Sequence, residues 1–403
     1  MWRLWTAGAL VNLLRWLDVL AYGLFAIDTS GAPLVVTAMM LVRMLPLLVL
    51  GSVAGALADR FDRRRGLVLL LLVMATVDTL LLALALTGRF GLATGFLGAF
   101  AGGLFWALEV PIRRTMLAEA AGIERVGQSI GLEMLTNNAT RMLGPAIGGG
   151  VVAALGMNGV LAVGVVAHLL AAVAVADLAS RAGAARREPS PLLAGLREGL
   201  AHIRRSPLIQ ATLAVTVIVN LWGFPYVSLG PVIAQEVLRL GPTGTGLLMA
   251  CEGLGALIGS IVLIQLRRDR LFRLIYLLGT ALYLAGVLAF ALLPWTIAAA
   301  LALLLAGFGM AAFNTMQTVI PLAASPPELR GRALGLLAVA MGTAPFGFLL
   351  IGLLATSFGA PAATATVALI GLVALAGSAW RWPELRRREP LRSAAVDHRP
   401  DSN

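Results

Sequence analysis

The sequence predicts an all-α integral membrane protein of twelve transmembrane helices arranged as two pseudo-symmetric six-helix halves. Three observations lead there. Apolar residues make up 59% of the 403-residue chain and charged residues only 13%, against roughly a half and a quarter in soluble domains. The chain also divides into twelve apolar stretches of about 20 residues, the length that crosses about 30 Å of hydrocarbon. Finally, all 31 basic residues are arginine, and they alternate along the chain. With a cytoplasmic N-terminus, loops and tails on that side hold 26 of them, the opposite loops hold only Arg89 and Arg239, and Arg15, Arg43 and Arg141 lie within apolar stretches. Such an excess in alternate short loops is the positive-inside signature. It requires an even number of spans with both termini cytoplasmic. The complete lack of Lys points to a bacterial chain, and so to a cytoplasmic (inner) membrane.

The first span is expected at 4–27. No Ala-x-Ala-like cleavage site follows a short apolar core near Met1, so the segment reads as a retained span rather than a signal peptide. Five more are expected at 34–58, 66–86, 92–112, 131–152 and 157–178, completing an N-terminal bundle over residues 1–178. Residues 179–207 form a cytoplasmic linker in which Leu192, Leu196, Leu200 and Ile203 recur at helical spacing, the pattern of an amphipathic helix lying on the interface. The C-terminal bundle, 208–380, is expected to hold spans at 208–231, 244–266, 274–293, 295–319, 333–355 and 360–380. Residues 381–403 are polar and are expected to form a disordered cytoplasmic tail. The outer loops are short, which makes consecutive helices antiparallel neighbours. The segment Gly55–Arg65 is echoed by Gly259–Arg270 about 204 residues later, and parallel repeats of this kind occur in secondary transporters, whose substrate site lies between the halves near the midplane.

Composition also excludes several activities. The net charge of +11 is dispersed among short loops rather than gathered on one face with aromatic readers, so nucleic acid is not expected as a partner. The single cysteine, Cys251, excludes an intramolecular disulfide or a Cys-based metal cluster. Without Lys there is no phosphate-binding Gly-x4-Gly-Lys-Ser/Thr loop. No Ser/His/Asp set, His cluster or carboxylate pair sits at one membrane face, which argues against an enzyme. No cofactor or metal is expected.

Charge inside a span is costly and marks a functional candidate. Arg15 and Asp18 are three apart, on one helix face. Asp18 and Arg43 each lie about nine residues from the outer end of their helices, roughly 13 Å deep at 1.5 Å per residue, and Glu252 sits at a similar depth. A buried acid that exchanges a proton is what a proton-coupled carrier needs, so Asp18 and Glu252 are the proton-coupling candidates. The competing reading makes Asp18 and an Arg a static ion pair. Arg141, beside Asn137 and Asn138, can contact substrate, neutralise an acid or make a packing hydrogen bond. Asp78 and Glu133 read as structural, Glu109 as a partner of Arg113 or a gate arginine, and His168 as a hydrogen-bonded packing residue rather than a metal ligand. Phe105, Trp106, Asn137, Trp222, Phe224, Tyr226, Asn314 and Gln317 are the candidate cavity residues; aromatics with few charges suit an amphipathic or lipophilic molecule. Core or interfacial aromatics are the competing reading.

Two motifs carry a resemblance. Gly55-Ala-Leu-Ala-Asp-Arg-Phe-Asp-Arg-Arg-Arg65 places a small residue at a helix contact, an acid at a helix end and arginines that can bridge acidic partners across the cytoplasmic face. Gly131, Gly144, Pro145, Gly148 and Gly149 place a Gly-Pro kink and close-packing glycines in the fifth span. The first resembles the loop signature of the major facilitator superfamily, with Asp62 where that family has Gly. There the resemblance makes Gly55, Asp59, Arg60, Arg63 and Arg64 a cytoplasmic gate. The second resembles the family's fifth-helix antiporter motif, with Thr140 replacing its middle Gly. The region from Glu328 to Gly347 and Ser206-Pro-Leu-Ile209 resemble the macrolide-efflux and enterobactin-exporter branch. The fourth span lacks the buried Arg of many proton-coupled relatives. The resemblance implies a monomeric transporter in which protons moving inward drive export of a drug, siderophore or secondary metabolite. A lysophospholipid or organic-solute carrier, or a transport-inactive receptor or assembly subunit, are the alternatives.

Overall fold

A computed structural model describes residues 2–50, 62–122, 126–177, 206–266, 269–326 and 329–389. Among them there is no strand, and ten helices are long and apolar enough to cross a membrane. The chain opens with α1 (Trp2–Ser30), the shorter apolar α2 (Pro33–Leu50), which is not among the ten, α3 (Arg63–Leu86) and α4 (Leu92–Ala121). Asp62, the departure from the family loop pattern, caps α3: its carboxylate accepts from the Arg65 N–H at 3.1 Å. The remainder of the expected second span, the gate residues Gly55, Asp59 and Arg60, and the amphipathic segment 191–205 lie outside the described residues.

A single helical run, Val126–Ala176, carries the fifth and sixth expected spans. The apolar part, Gly131–Ala176, is 46 residues, about 69 Å if straight and more than twice the hydrocarbon thickness. It is not straight. Gly156 leaves helical conformation at φ 60, a backbone region that only glycine enters without strain. Near one end Glu133 accepts from Arg114 of α4 at 3.0 Å. At the other end the Ala176 carbonyl accepts from Arg64, while the neighbouring Arg63 binds Glu119 of α4. Both ends therefore lie on the same arginine-rich side, and the chain reverses at Gly156, giving α5 (126–155) and α6 (157–176). Helical conformation continues through Pro145.

The second part of the chain is α7 (Pro207–Glu236), α8 (Pro242–Gln265), α9 (Phe272–Leu292), α10 (Thr296–Ala324), α11 (Arg330–Phe358) and α12 (Ala360–Arg381). α7 is broken by a π turn, Val219–Gly223, just ahead of Pro225, whose missing N–H cannot continue the ladder. An unexpected break divides α11 between Met341 and Ala344. Within the segment expected to be a disordered tail, a 3₁₀ turn, Pro383–Arg386, buries Leu385 in the core. The Glu384 carbonyl accepts from Arg273 of α9 at 3.4 Å. An apolar side chain so close after the last span has a core to join, and composition alone did not register it.

Between helices in lipid there is no hydrophobic drive, so small residues and polar contacts hold the bundle. A Cβ at Gly255 or Gly307 would overlap the facing backbone of α10 or α8, and one at Gly279 would overlap Ala312. α1 meets α7 where Gly23 faces Pro231, α2 meets α11 where Gly352 faces Thr37, and α5 meets α8 where Gly149 faces Gly246. Large side chains such as Leu80, Leu97, Val173, Ile264 and Val373 point outward and are exposed, as a lipid-facing belt requires.

Candidate functional site

A small cleft opens between α1, α2, α3, α4 and α6. Charge enters it from four of these helices. Asp18 of α1 and Arg43 of α2, which the spacing places at one depth, form an ion pair at 3.7 Å. Arg43 is 3% exposed, and its Nη1 has no hydrogen-bond partner. Gly102 leaves room for the guanidinium, since a Cβ there would lie 3.4 Å from Nη1. Arg15 shares a helix face with Asp18 but turns elsewhere. It donates to the Asn137 amide oxygen of α5 at 2.6 Å and lies over the rings of Trp106, 4.9 Å away, and Trp16, 5.1 Å away.

The cleft's back wall holds a second pair. His168 Nδ1 lies 2.8 Å from the Asp78 carboxylate, with the Phe105 ring edge-on to the imidazole at 5.1 Å. Gly164 makes the pairing possible, since a Cβ there would lie 2.7 Å from Asp78 Oδ2. Both residues were expected to be structural, and here they satisfy each other. Toward the arginine-rich end, Arg113 bridges Glu109 and Glu133, with Arg114 on Glu133 as well. Glu109 thus takes the partner its i+4 spacing suggests.

Glu252 lies apart from this cleft. It accepts from Arg141 at 2.5 Å, and each side chain is 5% exposed, so of the three open readings for Arg141 the structure selects a contact with an acid. Trp16 covers the Arg141 guanidinium at 4.9 Å, and the Tyr226 hydroxyl faces the same carboxylate. The neighbouring Asn138 donates to Ser260 of α8 at 2.7 Å. Gly144 packs on Trp16 and Gly148 on Leu17, both of α1, and Gly149 packs on the α8 backbone. Gly131 and Gly150 have nothing within 4 Å of a built Cβ, so neither serves close packing.

The expected cavity residues separate. Phe105 and Trp106 line the cleft, and Asn137 reaches it through Arg15. Tyr226, 1% exposed, is a core residue packed on Tyr283 and Phe290. Phe224 stacks edge-on with Phe348 of α11, and Trp222 packs beside Gly371 of α12. Asn314 and Gln317 hydrogen-bond each other at 3.1 Å, leaving Gln317 Oε1 without a partner. Asn12 and Met74 also line the cleft; neither carries charge or a motif that would single it out in sequence. Of the gate set, Arg63 and Arg64 are anchored to Glu119 and the Ala176 carbonyl. Among the described residues no three His, Cys, Asp or Glu side chains could hold a metal.

Residues 1–401 match the family model described as transmembrane secretion effector. The multidrug efflux pump Tap of Mycolicibacterium fortuitum is 27% identical over 380 residues, covering 89% of this chain and 91% of Tap. The enterobactin exporter EntS of Salmonella typhi is 29% identical, over 80% of this chain and 77% of its own. The uncharacterized transporter YfiS of Bacillus subtilis is 26% identical over 66% of this chain, and the match spans 64% of YfiS. Among solved structures, a D-xylose–proton symporter superposes with a TM-score of 0.73 at 14% identity, over 96% of this chain and 99% of its own. These similarities, the helical bundle and the charged cleft within it agree: the chain is a multi-pass membrane transporter rather than an enzyme, and it belongs to the transmembrane secretion effector family of the major facilitator superfamily.

Proposed function

We propose that this protein exports an amphipathic small molecule from the bacterial cytoplasm by proton-coupled alternating access, as a monomer with both termini cytoplasmic. Twelve spans in two six-helix halves are the architecture of this reading. The reversal at Gly156 supports counting Gly131–Ala176 as two spans, and the shorter apolar helix Pro33–Leu48 supplies one more. The halves meet at α1–α7, α2–α11 and α5–α8, the contacts that alternating access would remake.

The observation that carries the reading is Asp18. It is an acid at membrane depth, on a cleft wall, held among the described residues by one ion pair, to a guanidinium that has a donor to spare. Protonation of Asp18 would release Arg43, so the cleft has two charge arrangements, and a transporter needs two states whose balance a proton biases. Names of relatives that describe efflux and export favour the outward direction, as do Gly144, Pro145, Gly148 and Gly149 of the fifth-helix motif. Arg63 and Arg64, with Gly55, Asp59 and Arg60, are assigned to the cytoplasmic gate. Glu252, held by Arg141, is assigned to joining the halves rather than to proton exchange. The test is movement of a panel of amphipathic fluorophores into or out of proteoliposomes under an imposed pH gradient. Gradient-dependent accumulation that collapses with a protonophore supports the reading. Movement that ignores the gradient overturns the coupling.

A further inference from the structure

We propose that the cleft binds the acidic head of an amphipathic organic anion, with Arg15 as its counter-ion and Arg43 as a second donor. The inference names a substrate class for the export reading and rests on it.

The argument starts from how the acids around the cleft are used. Asp18 pairs with Arg43, Glu109 with Arg113 and Asp78 with His168. Arg15 is left over. Among the described residues no carboxylate makes an ion pair with it; it is held by the Asn137 amide and by two indole faces. Glu109 of the same cleft acts on Arg15 electrostatically but is bound to Arg113, and a guanidinium at membrane depth without an ion-pair partner of its own is costly. An amide dipole and two π-faces spread that charge without neutralising it.

Arg43 adds a second unmet demand. Its Nη1 is buried and has no acceptor, and like Arg15 it lines the cleft. Two arginines on one cleft, one of them with an unused donor, suit an acceptor that takes several N–H bonds at once, which is carboxylate, sulfonate or phenolate chemistry. A cation entering the same space would have to displace a guanidinium from its acid. An anion meets the free Nη1 donor of Arg43. Val11, Leu14, Met74 and Phe105 make part of the remaining wall apolar, beside Asn12, Glu109 and His168. The ligand so described has a compact anionic head on an apolar frame.

The test uses three probes with one fluorophore: 7-diethylaminocoumarin-3-carboxylate, its methyl ester, and an amide bearing a primary ammonium. Binding to the purified full-length protein in detergent is read by fluorescence anisotropy. The carboxylate is expected to bind at least about tenfold tighter than either analogue, the scale of one charge-assisted hydrogen-bond set. Arg15→Gln is expected to abolish that preference while leaving ester binding within about twofold, and Arg15→Lys to retain much of it. Monodisperse elution of each variant, together with the retained ester binding, separates lost recognition from lost folding. Tightest binding of the ammonium probe, equal weakening of all three probes in Arg15→Gln, or no carboxylate binding at millimolar concentration would each overturn the proposal. If the carboxylate preference holds but a pH gradient drives no movement, the export reading fails and the anion site stands. If a gradient drives only the ammonium probe, the export reading stands and the anion site fails.

Discussion

Arg141 of α5 and Glu252 of α8 form a buried 2.5 Å ion pair across 111 residues of sequence, and the Trp16 ring of α1 covers the guanidinium. Removing one partner leaves the other charged, buried and unmatched. Glu252→Gln or Arg141→Leu is expected to cost about 3–5 kcal/mol. The double variant Arg141→Leu with Glu252→Leu removes both charges and is expected to recover much of that loss. Unfolding in detergent, followed across the four proteins as a double-mutant cycle, checks this. Additive losses would mean that the pair contributes nothing as a pair.

Neighbouring glycines on α5 should respond in opposite ways. A Cβ at Gly149 runs into the Pro242 carbonyl and Gly246, whereas one at Gly150 meets nothing within 4 Å. Gly149→Ala is expected to destabilise by about 1–3 kcal/mol through overpacking. Gly150→Ala is expected to be neutral or to stabilise by up to about 1 kcal/mol through helix propensity. Thermal melting of the two variants side by side is the check.

The Asp78–His168 pair predicts a third contrast. His168→Ala leaves a carboxylate of 8% exposure without its partner, a loss of about 1–3 kcal/mol or more. Asp78→Asn keeps a hydrogen-bonding amide in the same place and is expected to cost less. Stability measurements that rank the two the other way would contradict the pairing.

Much of this arrangement was legible in the sequence. Asp18 and Arg43 read as equal in depth because each is about nine residues from a helix end, and they meet. Glu109 and Arg113 pair at i, i+4. The 153–156 gap between the fifth and sixth spans is where Gly156 turns the chain. What was missed lies in contacts between distant segments. Nothing local to Arg141 names Glu252, and nothing local to Asp78 names His168. Arg15 faces Asp18 along α1, yet α4 and α5 supply closer partners. Tyr226 read as one of several cavity aromatics, but its burial against Tyr283 and Phe290 is a tertiary outcome. The motif glycines Gly131 and Gly149 look equivalent in sequence, and only packing separates them.

Arg63 and Glu119 are 19% and 34% exposed at the side chain. A pair so accessible to water contributes at most about 1 kcal/mol, so Arg63→Ala is expected to leave the melting temperature nearly unchanged. If the pair belongs to the cytoplasmic gate, the same variant slows transport at saturating substrate. A transport rate equal to wild type would remove Arg63 from the gate.

The central claim is that Asp18 couples the proton to movement of substrate. The most direct measurement compares wild type and Asp18→Asn in proteoliposomes, with and without a pH gradient, for a transported fluorophore. The account predicts that Asp18→Asn loses gradient-driven accumulation but still exchanges substrate across the membrane at equilibrium. Gradient-driven accumulation by Asp18→Asn at the wild-type level would contradict it, and would make the 3.7 Å contact with Arg43 a structural pair.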